Sequence, residues 1–306
     1  MYNNSKFYIL FFASLLFVMC NQKEQKKTSK ETILKGSATI FVDETLEPII
    51  EDQVAVFESK YDAKIKLVSK SESETVNSLF KEKSAIAILT RNLTPQENII
   101  FEQKKITPKI TKFAMDAIAF ISNKSNNDTL IDLKDVVAFM QGKPSPAIKG
   151  LVFDNPNSST LHYINSLAGI QSIPEKGVYS FKTNEEVIKF VAQNNGMVGV
   201  LGVNWLFQPM PEMQKYVDKV NVLSVKGLSE PNYYAPTQNN IAEGKYSLAR
   251  DLYVVNGQGY SGLGMGFASF VAGDIGQRII LKSGLVPIKI PGRRINVRRG
   301  INNDKK

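Results

Sequence analysis

The chain has 306 residues and a formal charge of +9, from 38 lysines and arginines against 29 aspartates and glutamates. The excess sits at the ends: setting aside the twelve basic and three acidic residues in 6–31 and 289–306 leaves 26 of each sign between them. A neutral body without a basic patch interleaved with aromatics argues against nucleic acid as a partner, and one cysteine and one histidine exclude an intrachain disulfide and a Cys/His metal cluster.

Lys6 precedes an apolar run over residues 7–19, which ends at Cys20. A membrane-spanning helix needs about 20 apolar residues, so this shorter run reads as the core of an export signal, residues 1–19. Cys20 stands where a bacterial lipoprotein signal places the cysteine that is acylated, although Met19 is larger than the residue usual before it. Residues 20–31, rich in lysine and glutamate, read as a flexible tether.

From residue 32 the pattern alternates strand and helix. Residues 32–37 lead into a helix with Leu46, Ile50, Val54, Phe57 and Tyr61 on one face. A strand over 64–68, a short helix over 75–80 and a buried strand over 85–89 follow. Thr94-Pro-Gln-Glu97 is a capping box with proline at the first helical position. The run 113–122 reads as a long strand, and 132–140 as a helix stopped by Gly142. Thr183-Asn-Glu-Glu186 is a second capping box, followed by strands over 197–203 and 220–225. Residues 233–246 show little periodicity; a strand over 252–255, a helix near 266–281 and a strand over 287–290 close the body, with a basic tail at 293–306. Such alternation predicts an α/β fold with parallel sheets and helices on both faces.

The segment Gly150-Leu-Val-Phe-Asp-Asn-Pro-Asn-Ser-Ser-Thr160 carries the most chemistry. It reads as a strand, a turn and a helix whose first turn is all hydroxyls. Unpaired N–H groups and the positive end of the macrodipole make such a terminus a seat for an anion. The same pattern also fits an ordinary capped helix after a strand. Asp154 at the lip suits an anion that carries a proton. Lys35-Gly-Ser-Ala-Thr-Ile40 has similar small and hydroxyl residues at the first strand-to-helix junction, so two lobes could face each other across an anion cleft. Gly257-Gln-Gly-Tyr-Ser-Gly262 matches a dinucleotide fingerprint, but no acidic residue ends a following strand, and the glycines read as a turn. His162 reads as structural, and no lysine is spaced to activate Ser158 or Ser159 as a hydrolase nucleophile.

Gly36-Ser-Ala-Thr39, residues 152–160, Gly199-Val-Leu-Gly-Val-Asn-Trp205 and Gly262-Leu-Gly-Met-Gly-Phe-Ala-Ser-Phe-Val-Ala-Gly-Asp274 together resemble the phosphate-binding proteins of high-affinity phosphate ABC uptake systems, in the lipoprotein form of Bacteroidetes-like bacteria. The resemblance implies a type II periplasmic-binding-protein fold, two α/β lobes joined by two crossover segments with the ligand in the cleft: residues 32–117 plus 241–292 as one lobe and 118–240 as the other. It implies a non-enzymatic, monomeric, exported receptor, anchored to the membrane by lipid on Cys20. Such a receptor captures inorganic phosphate and delivers it to an ABC permease, without cofactor or metal. Phosphate contacts are then expected from Ala38, Thr39, Ile40, Ser73, Arg91, Asp154, Asn157, Ser158, Ser159 and Thr160. Arg91 and Asp154 exchange the charges of the better-known branch across the cleft. Side-chain alternation puts Ser73 inward and Glu72 and Glu74 outward. The alternatives are a receptor for sulfate or molybdate, or an interaction lipoprotein that kept the fold and lost its ligand.

Overall fold

The computed structural model describes residues 31–82 and 85–292. Cys20, the apolar leader, the tether up to residue 30 and the basic tail from residue 293 lie outside the described residues.

The strands are β1 (Lys35–Asp43), β2 (Asp62–Lys70), β3 (Ile86–Leu89), β4 (Lys109–Asn123), β5 (Leu130–Asp132), β6 (Gly150–Phe153), β7 (Val178–Ser180), β8 (Met197–Gly202), β9 (Val220–Val222), β10 (Ser224–Lys226), β11 (Tyr233–Tyr234), β12 (Ala249–Asn256) and β13 (Val286–Pro287). Between them lie α1 (Glu47–Lys60), α2 (Glu72–Lys81), α3 (Pro95–Gln103), α4 (Leu133–Met140), α5 (Ser159–Ala168), α6 (Asn184–Val191), α7 (Asn204–Phe207), α8 (Gln214–Val217), α9 (Gln238–Ala242), α10 (Leu263–Val271) and α11 (Asp274–Lys282). Local signals account for most helix starts. Pro48 lies in the first turn of α1, and Ser71 with Glu74 and Thr94 with Glu97 form reciprocal capping boxes. The helix expected near 266–281 is two helices, α10 and α11, broken at Gly273. Residues 233–246, which lack periodicity, hold the short β11 and α9.

The main sheet runs β2-β1-β3-β12-β4-β8-β6-β7, with β9 and β13 also paired to β4; β11-β10-β5 form a small second sheet. The sheet is mixed rather than parallel throughout. Its outer triples, β2-β1-β3 and β8-β6-β7, are parallel. Every antiparallel pairing of the main sheet involves β4 or β12, the two strands that run through its middle. The reason lies in β4, which is 15 residues long: residues 109–117 pair with β12, whereas residues 118–123 pair with β8 and β9. One strand therefore passes from one half of the sheet to the other between Ala117 and Ile118. The chain returns beside it, where the Ile118 amide donates to the Leu248 carbonyl at 3.0 Å and the Tyr246 hydroxyl to the Ile118 carbonyl at 2.7 Å.

Helices cover the sheet through apolar faces. Phe57 of α1 is fully buried against Tyr61, Phe267 and Phe270, with ring centroids 4.9, 5.5 and 5.3 Å away. Gly266 is required where α10 meets the chain before β1: a Cβ there would stand 1.6 Å from the Ile33 carbonyl oxygen. In the glycine motif, Gly259 adopts φ +72° and the Gln258 carboxamide oxygen accepts from the Gly264 amide at 2.9 Å, so the segment is a turn closed by its own side chain. Phe57→Ala is expected to lower unfolding free energy in urea by about 3–5 kcal/mol, from lost burial and the cavity left among three aromatic rings. A loss under about 1 kcal/mol would mean that α1 repacks freely.

Candidate functional site

The site is assembled from strand ends. β6 ends at Phe153, and Asp154 follows with its side chain fully buried. Ser158 caps α5, its hydroxyl oxygen accepting from the Leu161 amide at 3.3 Å. Ser158 and Thr160 hydroxyls lie 3.0 Å apart, and the Thr160 hydroxyl donates to Asp154 Oδ1 at 3.0 Å. Asp154 Oδ2 accepts from Asn184 Nδ2 at 3.3 Å. Ser158, Ser159 and Thr160 are each at most 2% exposed. Both Asp154 oxygens are thus engaged, and the carboxylate orients the hydroxyls of the helix start. Burial pushes its pKa up, although the bonds from Ser158 and Thr160 pull the other way.

The opposing wall comes from the end of β1. Thr45 donates both its amide and its hydroxyl to Asp43 Oδ1, at 3.0 and 2.8 Å. Its hydroxyl oxygen lies 3.3 Å from that of Ser159. Because the single Thr45 proton is committed to Asp43, Ser159 is the donor in that contact. Ser159 in turn accepts from Arg250 Nη1 at 3.1 Å, while Arg250 Nη2 donates to Asp116 Oδ2 at 2.6 Å. Arg250 and Asp116 are cross-strand partners on β12 and β4 and are 2% and 0% exposed. One guanidinium therefore links the two central strands to the hydroxyl turn of α5. Trp205 Nε1 donates to the Thr45 carbonyl at 3.0 Å, fixing this corner from the other side.

Of the ten contact residues expected from sequence, the structure brings Asp154, Ser158, Ser159 and Thr160 together. Ala38, Thr39 and Ile40 lie in the middle of β1, which continues three residues beyond Ile40, so the junction that meets α5 is Asp43-Glu-Thr45. Ile40 is buried between β2 and β3 in the register. Asn157 is exposed, with its amide bound to Asn155 Oδ1. Arg91 donates to Glu72 through Nε at 3.0 Å and grips Glu97 through Nη1 and Nη2 at 2.8 and 2.9 Å, which spends its guanidinium within the first half of the sheet. The expected orientation at the start of α2 is reversed: Glu72 is 5% exposed and points inward, whereas Ser73 is half-buried and Glu74 closes the capping box outside. Arg91 and His162 supply the reason. Glu72 Oε1 lies 3.0 Å from Arg91 Nε and 3.3 Å from His162 Nδ1, and although burial pushes its pKa up, these partners hold it below the ordinary carboxylate value.

Sequence reasoning missed Arg250, Asp116, Asp43 and Thr45. A signal for Arg250 was present: alternation in β12 puts it on the face of Leu252, Val254 and Asn256, all buried, and a cation on a buried face demands a partner. The partner could not be read, because Asp116 is 134 residues away.

The site is rich in carboxyls. Burial, with the field of Glu72, pushes Asp43 up to about 6 against the pull of Arg250. Burial, with Asp154, Asp43 and neighbouring glutamates, pushes Glu44 up to about 8. Carboxyls raised in this way keep a proton to higher pH than ordinary ones. Among the described residues no group of three or more His, Cys, Asp or Glu side chains is arranged to hold a metal ion.

Residues 26–274 match the PBP superfamily domain. The chain belongs to that family. Its fold is the type II periplasmic-binding-protein fold, a mixed α/β structure. The phosphate-binding protein PstS of Borreliella burgdorferi is 26% identical over 295 residues, covering 90% of this chain and 95% of that protein. Among solved structures, a Clostridium perfringens protein assigned as a phosphate ABC transporter substrate-binding protein, with bound phosphate, superposes with a TM-score of 0.69 at 19% identity, over 83% of this chain and all of that one. An ABC-type phosphate transport receptor from Vibrio cholerae superposes with 0.62 at 16% identity, over 82% of this chain and all of that one. These PBP-fold likenesses establish the architecture; the pairing of Arg250 with Asp116 and Ser159 is read from this chain itself.

Asp43 and Glu44 bind protons more tightly in the folded chain than their ordinary values of 3.8 and 4.5 allow. The stabilisation this gives is complete below about pH 4 and is lost as pH rises through about 6 for Asp43 and about 8 for Glu44. Urea unfolding of the ligand-free protein should therefore show stability declining between about pH 4.5 and 8, and Glu44→Gln should flatten the upper half of that decline. A wild-type profile that rises over the same interval would contradict the assignment.

Proposed function

We propose that this chain is an extracytoplasmic receptor that captures inorganic phosphate between the two halves of its sheet and delivers it to an ABC permease. The observation that carries the reading is the buried hydroxyl turn of α5 joined through Ser159 to Arg250: unpaired helix N–H groups, three hydroxyls and one guanidinium converge where the two halves meet. The phosphate-binding relative and the phosphate-bound Clostridium perfringens structure support phosphate as the anion. The halves act as lobes, residues 32–117 with 241–292 and residues 118–240, hinged where β4 changes partner. Thr45, Ser158, Ser159, Thr160 and Arg250 contact the anion, the hydroxyl protons turning to it from Asp43, Thr45 and Asp154, and Asp154 positions Thr160. Asp43 and Glu44 give or take the proton that distinguishes hydrogen phosphate from sulfate. The role is binding and release, without chemistry on the ligand, as a monomer. Cleavage before Cys20 and acylation of its thiol tether the receptor at the membrane.

Phosphate at about 100 times its Kd should stabilise the fold by about 2.7 kcal/mol, a rise in thermal midpoint of roughly 5–10 °C for a chain of this size. Sulfate at equal concentration should give a smaller shift. No shift at millimolar phosphate would overturn the reading, and a larger shift with sulfate or molybdate would reassign the anion. Ser159→Ala and Arg250→Gln should each weaken phosphate by at least about 100-fold in calorimetric titration, and Arg91→Gln by less than about 5-fold. The opposite order would return the cation's role to Arg91. Cys20→Ser should shift the protein from the membrane fraction to the soluble one; unchanged membrane association would make residues 7–19 an uncleaved anchor.

A further inference from the structure

A cavity of about 460 Å³ opens beside Trp205, and none of the residues of the anion cluster lines it. Its rim is acidic. Glu47, Glu51 and Asp52 come from α1 and Glu185 from α6, and no lysine or arginine lines it. Its walls are apolar and aromatic, with Ile188, Trp205, Met210 and Met213. Asn204 also lines it and is 3% exposed, but its carboxamide is shielded from the cavity and its Oδ1 lies toward Gly202.

The charges around the cavity are poorly answered. Lys189 is 3.3 Å from Glu185, one turn away on the same helix, and is the one ion pair among the four rim carboxylates within the described residues. Glu47 and Glu51 are four residues apart on α1 and so share a face, where like charges are unfavourable. Burial, eased by a bond from Ser69 and aggravated by Glu51 and Glu185, pushes the Glu47 pKa up; burial does the same for Asp52. The Trp205 ring is held in place by its bond to the Thr45 carbonyl, and an indole face is the side-chain surface that attracts a cation most strongly.

We propose that this cavity binds a small organic cation, a primary ammonium or guanidinium carried on an apolar body. The charged head lies among Glu47, Glu51 and Asp52, and the body lies against Trp205 and Met210. A bare metal ion is poorly suited, because the apolar walls supply nothing to a hydrated ion. An anion is excluded by the rim. Thr45 holds Trp205 on one side and meets Ser159 on the other, so the two sites share a residue but no ligand-binding group.

Trp205 is the sole tryptophan of the chain, so with phosphate absent its fluorescence reports on an occupant of this cavity. The purified full-length protein would be titrated with phenethylamine, with the uncharged 2-phenylethanol as control. The expected result is a saturable change in Trp205 emission with the amine at a Kd at least tenfold below that for the alcohol. Glu51→Gln with Asp52→Asn, both exposed and outside the anion cluster, should weaken the amine at least tenfold while leaving the phosphate-induced shift in thermal midpoint unchanged. Equal responses to amine and alcohol, no saturable response to either, or full amine affinity in the double variant would each overturn the proposal. Since the readout is fluorescence without phosphate present, failure here would not bear on phosphate capture, nor would failure of phosphate capture bear on this cavity.

Discussion

The ion pair between Arg250 and Asp116 is the constraint on which the rest of the site depends. Both side chains are almost wholly buried on adjacent central strands. Neither charge would be tolerable there alone, since removing one partner of a buried pair typically costs about 3–5 kcal/mol. The pair fixes the register of β4 against β12 close to the point where β4 changes partners. Having satisfied Asp116 with one nitrogen, the guanidinium presents another to Ser159, and so couples the middle of the sheet to the helix that supplies the hydroxyls. Its Nε has no partner among the described residues, so the cation is only partly spent within the protein.

Around this cation the protein gathers more carboxyls than neutralisation requires. Asp43, Glu44, Asp116 and Asp154 all have pKa values raised by burial, whereas Glu72 is kept ionised by Arg91 and His162. The division has a physical logic. Glu72, held by Arg91 and His162, stays charged and ties α2 to α5. Asp43 and Glu44, which have no ion pair of their own among the described residues, hold a proton more tightly than ordinary carboxyls. A site with exchangeable protons distinguishes oxyanions by their own protonation state, which shape and size alone do poorly for tetrahedral anions.

Trp205 marks a boundary between two chemistries. Its Nε1 bonds to the Thr45 carbonyl, beside the hydroxyl that meets Ser159, and the residue also lines the cavity rimmed by four carboxylates.

Much of this was legible in the sequence wherever the cause is local. The capping box at Thr94, the helix face through Phe57 and the turn chemistry of residues 257–262 depend on residues a few positions apart, and the structure bears them out; at Thr183 the N-cap forms, but Glu186 takes the Lys182 amide instead of closing the box. The hydroxyl turn at Ser158–Thr160 was legible for the same reason, since its donors are the helix's own first residues. What only the tertiary structure decided is which charges meet. Thr39 and Arg91 look suited to an anion by residue type, yet β1 runs on past the first and Glu97 claims the second. Asp116 and Arg250 look like strand residues of no particular promise, yet a cross-strand register places them together and beside Ser159. Hydrogen-bonding type is a property of each residue and is written in the chain; the Coulomb partner of a buried charge is a property of long-range packing, because only burial makes the pairing obligatory.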